Sequence, residues 1–232
     1  MTEQGQQAAA IWRERDFARS WAASDGLRDM LDYPRRIAAA IVAQDSAGPA
    51  CVVDIASGPG DFLAVFLTAF PAARGIWTDA SEAMQELAAE RLAPFGDRVS
   101  FQRADMTDLA GAGIPAAVDV ITTSRASHHL DRAGLHDFYA QAAGYLAPGG
   151  WLVDLDHTGP GEAWDARLRA ARQQLHPTRP EGRTHRHEHP LTSVADHLDG
   201  YAAAGIGDAE VVWRAFATCL FMGRRGAQSP SS

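Results

Sequence analysis

The sequence has no lysine: all 21 basic residues are arginine, set against 29 acidic residues. That absence reads as the codon usage of a GC-rich genome and assigns no function. The resulting charge is more informative. A net charge of −8 argues against a polyanionic partner, because nucleic-acid binding rests on neutralising phosphates. Cysteine is nearly absent as well. Cys51 and Cys219 lie far apart, each inside an expected strand, so no disulfide framework is indicated. No apolar run approaches the roughly 18 residues of a membrane span. The opening Met-Thr-Glu-Gln-Gly-Gln-Gln lacks the charged start and apolar stretch of a secretory signal. The expectation is a soluble cytoplasmic protein with neither nucleic acid nor membrane as partner, monomeric or homodimeric. At 232 residues the chain is about one large domain, ample for a buried core.

The chain does have one unusually informative stretch, Val-Val-Asp-Ile-Ala-Ser-Gly-Pro-Gly-Asp-Phe from Val52 to Phe62. An apolar β-run ends in an acid and passes at once into a small-residue, glycine-rich turn that opens a helix. A doubly wound α/β domain presents backbone N–H groups to a nucleoside-containing cofactor in this way, at the carboxyl end of its first strand. A dinucleotide fingerprint counted from Gly58 would need a small residue at position 63. Leu63 stands there, too large for the close helix–strand packing of that motif, which argues against NAD(P). Small residues instead recur two apart at Ala56, Gly58 and Gly60, with Asp54 two before the first.

The order of elements agrees. Helices are expected over 8–23 and 27–44, the second re-entered at Pro34 as a first-turn proline. Ala50–Ile55 reads as a buried strand, Gly60–Phe70 as a helix and Gly75–Asp79 as a strand. Ser81 can cap a helix over 82–92, with Glu82 in its first turn. Val99–Ala104 and Val118–Ser124 are further strands. Leu135, Phe138, Tyr139, Ala142 and Leu146 mark one face of a helix that stops before Pro148-Gly149-Gly150. Trp151–Asp156 is then a strand. Regularity lapses until a helix over Ser193–Ala204, closed by Gly205. Strands near 207–213 and 215–222 are too close together for a crossover and read as a hairpin. Residues 226–232 read as a disordered tail.

Asp54-x-Ala56-x-Gly58-x-Gly60 resembles motif I of the class I S-adenosylmethionine-dependent methyltransferases, with Ala56 where a glycine is usual. Asp79 ends the second strand, where an acid can accept both ribose hydroxyls. Its setting, Asp79-Ala80-Ser81-Glu82-Ala83-Met84, is similar to the family's Asp-x-Ser-x-x-Met stretch. Ala104-Asp105-Met106 resembles the segment in which an aspartate and the next backbone N–H read the adenine edge. Leu146-Ala-Pro-Gly149-Gly150 and Ala203-Ala204-Gly205-Ile206 resemble the turns before strands five and six. The resemblance covers about residues 50–222. It implies S-adenosyl-L-methionine as cofactor, held by Asp54, Ala56, Ser57, Gly58, Gly60, Asp79, Ala80, Asp105, Met106 and Ser124.

The fourth motif, Thr122-Thr123-Ser124-Arg125-Ala126-Ser127-His128-His129-Leu130, lacks the Asn/Asp-Pro-Pro-Tyr of enzymes that alkylate amide or base amino groups. It resembles the Leu-His-His-Leu version of small-molecule methyltransferases. A sulfonium methyl is already activated, so such an enzyme aligns the nucleophile and removes its proton. An imidazole titrating near neutrality suits that base role. His128 and His129 are both candidates, and adjacent histidines are expected to point apart, leaving one to face the cofactor. Asp156 and His157 end strand five on the same rim. Alternation puts Asp154 and Asp156 on one face, with Asp156 the better placed to reach the site.

Two regions are expected to shape the acceptor pocket. The N-terminal helices carry Trp12, Phe17, Trp21, Tyr33, Arg35 and Arg36, readable either as pocket lining or as ordinary packing. Residues 158–192 read as a lid insertion holding Arg179, Arg183, Arg186 and the alternating His185, His187 and His189. If extended, that run places three imidazoles on one side. It could hold a metal, form a basic lid gripping an anionic substrate, or be a solvated polar loop. The basic lid is preferred, because neighbouring arginines oppose a bound cation, and no metal is assigned.

The expected architecture is α/β: a Rossmann-like, seven-stranded, mostly parallel, doubly wound sheet with a C-terminal antiparallel hairpin. It comprises an N-terminal helical cap (1–45) and a methyltransferase domain (46–225). The expected activity is O-methylation of a small metabolite assisted by a His base. Two alternatives stand beside it: a non-methylating S-adenosylmethionine enzyme releasing methylthioadenosine, and a cofactor-binding regulatory module.

Overall fold

The computed structural model of the protein describes residues 25–45, 47–175 and 189–226. The expected helix over 8–23, the segment holding Arg179, Arg183, His185, Arg186 and His187, and the tail after Gly226 lie outside those residues.

Seven strands form one sheet, β1 (Cys51–Ile55), β2 (Arg74–Asp79), β3 (Val99–Arg103), β4 (Val118–Ser124), β5 (Leu146–His157), β6 (Glu210–Ala215) and β7 (Thr218–Arg224). Their order is β3-β2-β1-β4-β5-β7-β6. The first five run parallel, whereas β7 pairs antiparallel with β5 and β6. Six α-helices accompany the sheet in the described residues, α1 (Asp25–Val42), α2 (Asp61–Ala69), α3 (Glu82–Leu92), α4 (Arg132–Tyr145), α5 (Glu162–Leu175) and α6 (Val194–Ala203), with 3-10 turns at Ala93–Arg98 and Ser127–His129.

Alternation along the strands builds two cores. Val52, Val120, Val153, Leu220 and Met222 face α1, α2 and α3. Their neighbours Val53, Ile121, Leu152, Cys219 and Phe221 face α4 and α6. Strand connections depart in opposite directions from β1 and β4, so the crevice at their carboxyl ends is where such sheets bind ligands.

Local chemistry explains most boundaries. Ser81 caps α3 by accepting from the Met84 N–H. Ser193 and Asp196 form a reciprocal capping box on α6. Leu63, which argued against a dinucleotide motif, is fully buried against β2. Space for it comes from Gly75, where an added Cβ would stand 2.9 Å from a Leu63 methyl.

Four expectations need correction. Pro34 lies inside α1 rather than at its first turn. An interior proline costs a helix about 3 kcal/mol, and here burial of Leu31, Ala38, Ala39 and Val42 offsets it. Leu146 opens β5 instead of ending α4; it pairs with Val118 before a bulge, and regular pairing resumes at Trp151. The region after β5 contains a full helix, α5, none of whose residues is buried. Its Ala, Arg, Gln and Leu content favours helix, but no buried stripe marked it. The hairpin strands also begin about three residues later than expected. Among the described residues, no helix is long and apolar enough to cross a membrane.

Candidate functional site

The turn after β1 bends through three left-handed residues, Ala56 (φ 50°), Gly58 (φ 54°) and Gly60 (φ 84°). Glycine adopts that conformation without penalty, whereas an L-residue such as Ala56 is strained by roughly 1–2 kcal/mol. At Gly60 a Cβ would also meet Leu92 at 2.8 Å. Several contacts hold this shape. The Ser57 N–H donates to the Thr78 carbonyl at 2.9 Å, and the buried Trp77 indole donates to the Gly58 carbonyl at 2.8 Å.

Asp54 points inward rather than into solvent. Its carboxylate accepts from the Ser57 hydroxyl and from Thr122 Oγ1 at 2.7 Å, tying β1, β4 and the turn together. Burial raises its pKa to about 6, opposed by those hydrogen bonds and by Arg35. Asp79 ends β2 and accepts from the Gly58 N–H at 2.9 Å and the Ser81 N–H at 2.8 Å. Burial raises its pKa too. Backbone N–H groups of Gly58, Ala80 and Ser81 orient this carboxylate, and a carboxylate's four acceptor sites leave room for a further donor.

Next to Asp79, Ala80, Glu82, Arg103, Ala104 and Asp105 line an open cleft of about 410 Å³. Asp105 is exposed there, and one of its oxygens accepts from both the N–H and the hydroxyl of Thr107. Met106 is partly buried against the α4–α6 core. At the tip of β4 the Ser124 hydroxyl is buried and has no hydrogen-bond partner. A buried hydroxyl left unsatisfied beside the left-handed turn fits a site completed by a polar ligand. Donors, an orienting acid and an adjoining cleft together suit an S-adenosyl nucleoside.

On the other side of the β4 tip, Arg125 adopts φ 57°, and Ser127–His129 form a single 3-10 turn. His128 is buried, with Nδ1 2.5 Å from Asp156 Oδ1 and its backbone N–H 3.0 Å from Asp156 Oδ2. The two histidine rings do not point apart as expected: they lie 4.3 Å apart between centroids, at 34°. The tight turn brings consecutive side chains to one side. His157 lies 5.5 Å from His128, and its Nδ1 is 3.0 Å from Thr218 Oγ1. Desolvation, then the Arg125 charge, lowers the His157 pKa to about 2. Its neighbour Asp156 is held well below the usual carboxylate range: against the opposing cost of burial, His128, His157 and the donated hydrogen bonds favour its ionised form.

The turn after β4 and the end of β5 thus bring together His128, His129, Asp156 and His157. The candidates on α1 sit elsewhere. Arg35 is buried, 3.9 Å from Asp61 at the start of α2 and over the Phe62 ring. It therefore packs behind the turn after β1. Arg36 pairs with Asp32 in solvent, and Tyr33 is 64% exposed. Arg183, His185, Arg186 and His187 are outside the described residues. Among the described residues no group of His, Cys, Asp and Glu could hold a metal ion. Sequence reasoning missed Ser127, Tyr139 and His197, which extend the Asp156 cluster into the α4–α6 core. It also assigned nothing to Arg125, whose left-handed backbone no sequence pattern announces.

Comparison with known proteins agrees with this fold. Residues 52–150 match the model of a methyltransferase domain. Among curated proteins none matches the chain. An O-methyltransferase family protein from Burkholderia thailandensis superposes with a TM-score of 0.66 at 20% identity, covering 98% of this chain and 69% of that one. An O-methyltransferase family 2 protein from Planctomyces limnophilus DSM 3776, in complex with apigenin, gives 0.67 at 21% identity, covering 91% and 62%. A candidate O-methyltransferase from Nostoc punctiforme PCC 73102 gives 0.67 at 17%, covering 92% of this chain. The chain spans only 59% of the length of the Nostoc protein. Residues 52–150 thus match a methyltransferase domain, and the fold around them is the one shared with these O-methyltransferase structures.

Proposed function

We propose that this protein transfers the methyl group of S-adenosylmethionine to a hydroxyl oxygen of a small molecule, with His128 as general base. The observation that carries the reading is the buried contact between His128 Nδ1 and Asp156 Oδ1 at 2.5 Å. An Nδ1–H given to an ionised aspartate leaves Nε2 without a proton, the tautomer a base needs. The same aspartate then stabilises the imidazolium formed when the acceptor is deprotonated.

The remaining residues divide between the two reactants. The turn at Ala56, Ser57, Gly58 and Gly60 would lie along the cofactor backbone, shaped from behind by Asp54. Asp79 would accept the ribose hydroxyls, Ala80 and Met106 would flank the adenine, and Asp105 would read its edge. Ser124 would donate from the tip of β4. Bound there, the cofactor supplies an activated methyl, so the protein's task is alignment and proton removal. His129 and His157 flank the base. Arg125 places a cation beside His157, suited to an acceptor oxygen that gains negative charge as it is deprotonated. Phenols and enols match that demand, in keeping with the apigenin held by the Planctomyces structure. Tyr33, Arg36 and the segment with Arg183, His185, Arg186 and His187 stay as candidates for the outer acceptor surface.

The test is incubation with methyl-labelled S-adenosylmethionine and a panel of phenolic and aliphatic hydroxy compounds, followed by mass spectrometry. A labelled methyl ether with equimolar S-adenosylhomocysteine is expected. Release of methylthioadenosine, or label on carbon or nitrogen alone, contradicts the reading.

A further inference from the structure

Behind His128 and Asp156, the α4–α6 core holds a second carboxyl group that methyl transfer does not itself require. Asp154 is fully buried and lies on the same face of β5 as Asp156, two residues along the strand. Between them stands one hydroxyl. Ser127 Oγ is 2.7 Å from Asp154 Oδ2 and 2.8 Å from Asp156 Oδ2. A serine hydroxyl owns a single proton, so it can donate to only one of two carboxylates. The other contact, at ordinary hydrogen-bond length, requires a proton from the carboxyl side.

Three further observations place that proton on Asp154. Asp156 already accepts from the His128 N–H, its ring and the His157 N–H. Asp154 Oδ1 is buried with no hydrogen-bond partner, which is costly for an ionised carboxylate and far less so for a neutral acid. Beyond it, Tyr139 Oη is 2.6 Å from both Asp154 Oδ2 and His197 Nδ1, and His197 Nε2 is 3.0 Å from Thr192 Oγ1. With Asp154 protonated, every contact in the chain has one donor. Thr192 donates to His197, His197 to Tyr139, Tyr139 to Asp154, Asp154 to Ser127, and Ser127 to Asp156.

We infer that Asp154 is kept as a neutral carboxylic acid and acts through Ser127 as a positioning residue, making Asp156 the single ionised carboxylate of the cluster. The inference rests on the reading of His128 as base and names what fixes its partner. The surroundings agree. Desolvation, with the Asp156 charge, raises the Asp154 pKa to about 8. Other titratable groups facing it are Tyr139 from α4, His197 and Tyr201 from α6 and Cys219 from β7; β4 opposes it with Thr123. Burial lowers the His197 pKa to about 4, so that ring is neutral and does not supply a counter-charge.

The test needs no substrate and so stands apart from the test of turnover. Unfolding of wild type and Asp154→Asn is followed from about pH 5 to about pH 9. The unfolded chain releases the Asp154 proton near its ordinary value, while the folded protein keeps it until about pH 8. Wild-type stability therefore falls as pH rises across that interval, and the variant escapes the fall. The melting temperature of Asp154→Asn should rise relative to wild type between pH 5 and 8, with the His128 ring nitrogen shifts unchanged. Its amide can donate to both Ser127 and Tyr139, so the chain of contacts survives; Asp154→Ala should disturb the His128 shifts. Should these variants not fold, the assigned 13C carboxyl resonance of Asp154 in wild type decides, and is expected to show the protonated acid at neutral pH. A carboxyl resonance titrating in the ordinary range, or a melting difference independent of pH, would overturn the inference. So would a variant that loses ground at acid pH, since that would mark an ion pair with His197 across their 3.7 Å.

Discussion

His128 and Asp156 are joined twice: the aspartate takes the ring Nδ1 at 2.5 Å through one oxygen and the backbone N–H at 3.0 Å through the other. Both side chains are buried. Residues 28 apart in sequence are thereby fixed in one geometry, and the imidazole cannot turn without breaking a contact to an ionised partner. Hydrogen bonds to charged groups contribute about 1.5–3 kcal/mol, so this pairing defines the ring orientation.

Asp79 and the turn beside it make the cofactor half of the site testable. Asp79→Ala should weaken S-adenosylhomocysteine binding by roughly 1.5–3 kcal/mol, the scale of hydrogen bonds to a charged acceptor. Gly58→Val should abolish binding, because φ 54° disfavours a β-branched residue and its side chain would fill the ligand's approach. Calorimetry with both variants at wild-type affinity would remove the basis for placing the cofactor there.

Ala56 occupies a left-handed conformation at φ 50°, where glycine is free of strain. Ala56→Gly should raise stability by about 0.5–1 kcal/mol, since relief of strain exceeds the added flexibility of the unfolded chain. Chemical denaturation checks this. A destabilised variant would mean that the alanine methyl contributes more through packing than it costs in the backbone.

The buried His197 and the half-buried His157 set the acid side of the stability curve. Desolvation lowers His157 to about 2 and His197 to about 4. The unfolded chain takes up protons on these rings below about pH 6.5, whereas the folded protein does not, so stability is lost as pH falls through that range. His197→Gln should cost stability at pH 7 by breaking contacts to Tyr139 and Thr192. Its deficit should shrink between pH 6.5 and 4. A deficit that stays constant or widens in acid would show that His197 is charged in the folded protein.

Much of this was legible in the sequence because it depends on neighbours along the chain. The turn from Asp54 to Gly60, the acid at the end of β2 and the Ser81 cap each follow from short-range backbone rules. Alternation along β5 correctly put Asp154 and Asp156 on one face, with the second nearer the rim. What escaped was set by distant partners. Tyr139 and His197 read as members of helical core faces, and only packing of α4 against α6 brings their polar atoms to Asp154. Thr122 reads as a strand residue until β1 and β4 pair and place its hydroxyl on Asp54. Helix α5 escaped because a helix without a buried stripe has no periodic signature. Arg35 was a candidate for pocket lining, yet its position behind the turn after β1 depends on the docking of α1 against α2.

The account turns on His128 as the base. The direct measurement is turnover and S-adenosylhomocysteine affinity of His128→Ala beside wild type, with the acceptor identified by labelled methyl transfer. Loss of about 10²–10⁴ in kcat with cofactor affinity retained is expected, the range of a positioned general base, and His129→Ala should lose far less. Full turnover by His128→Ala across pH 6–9 would contradict the account and move the proton transfer to another group or to solvent.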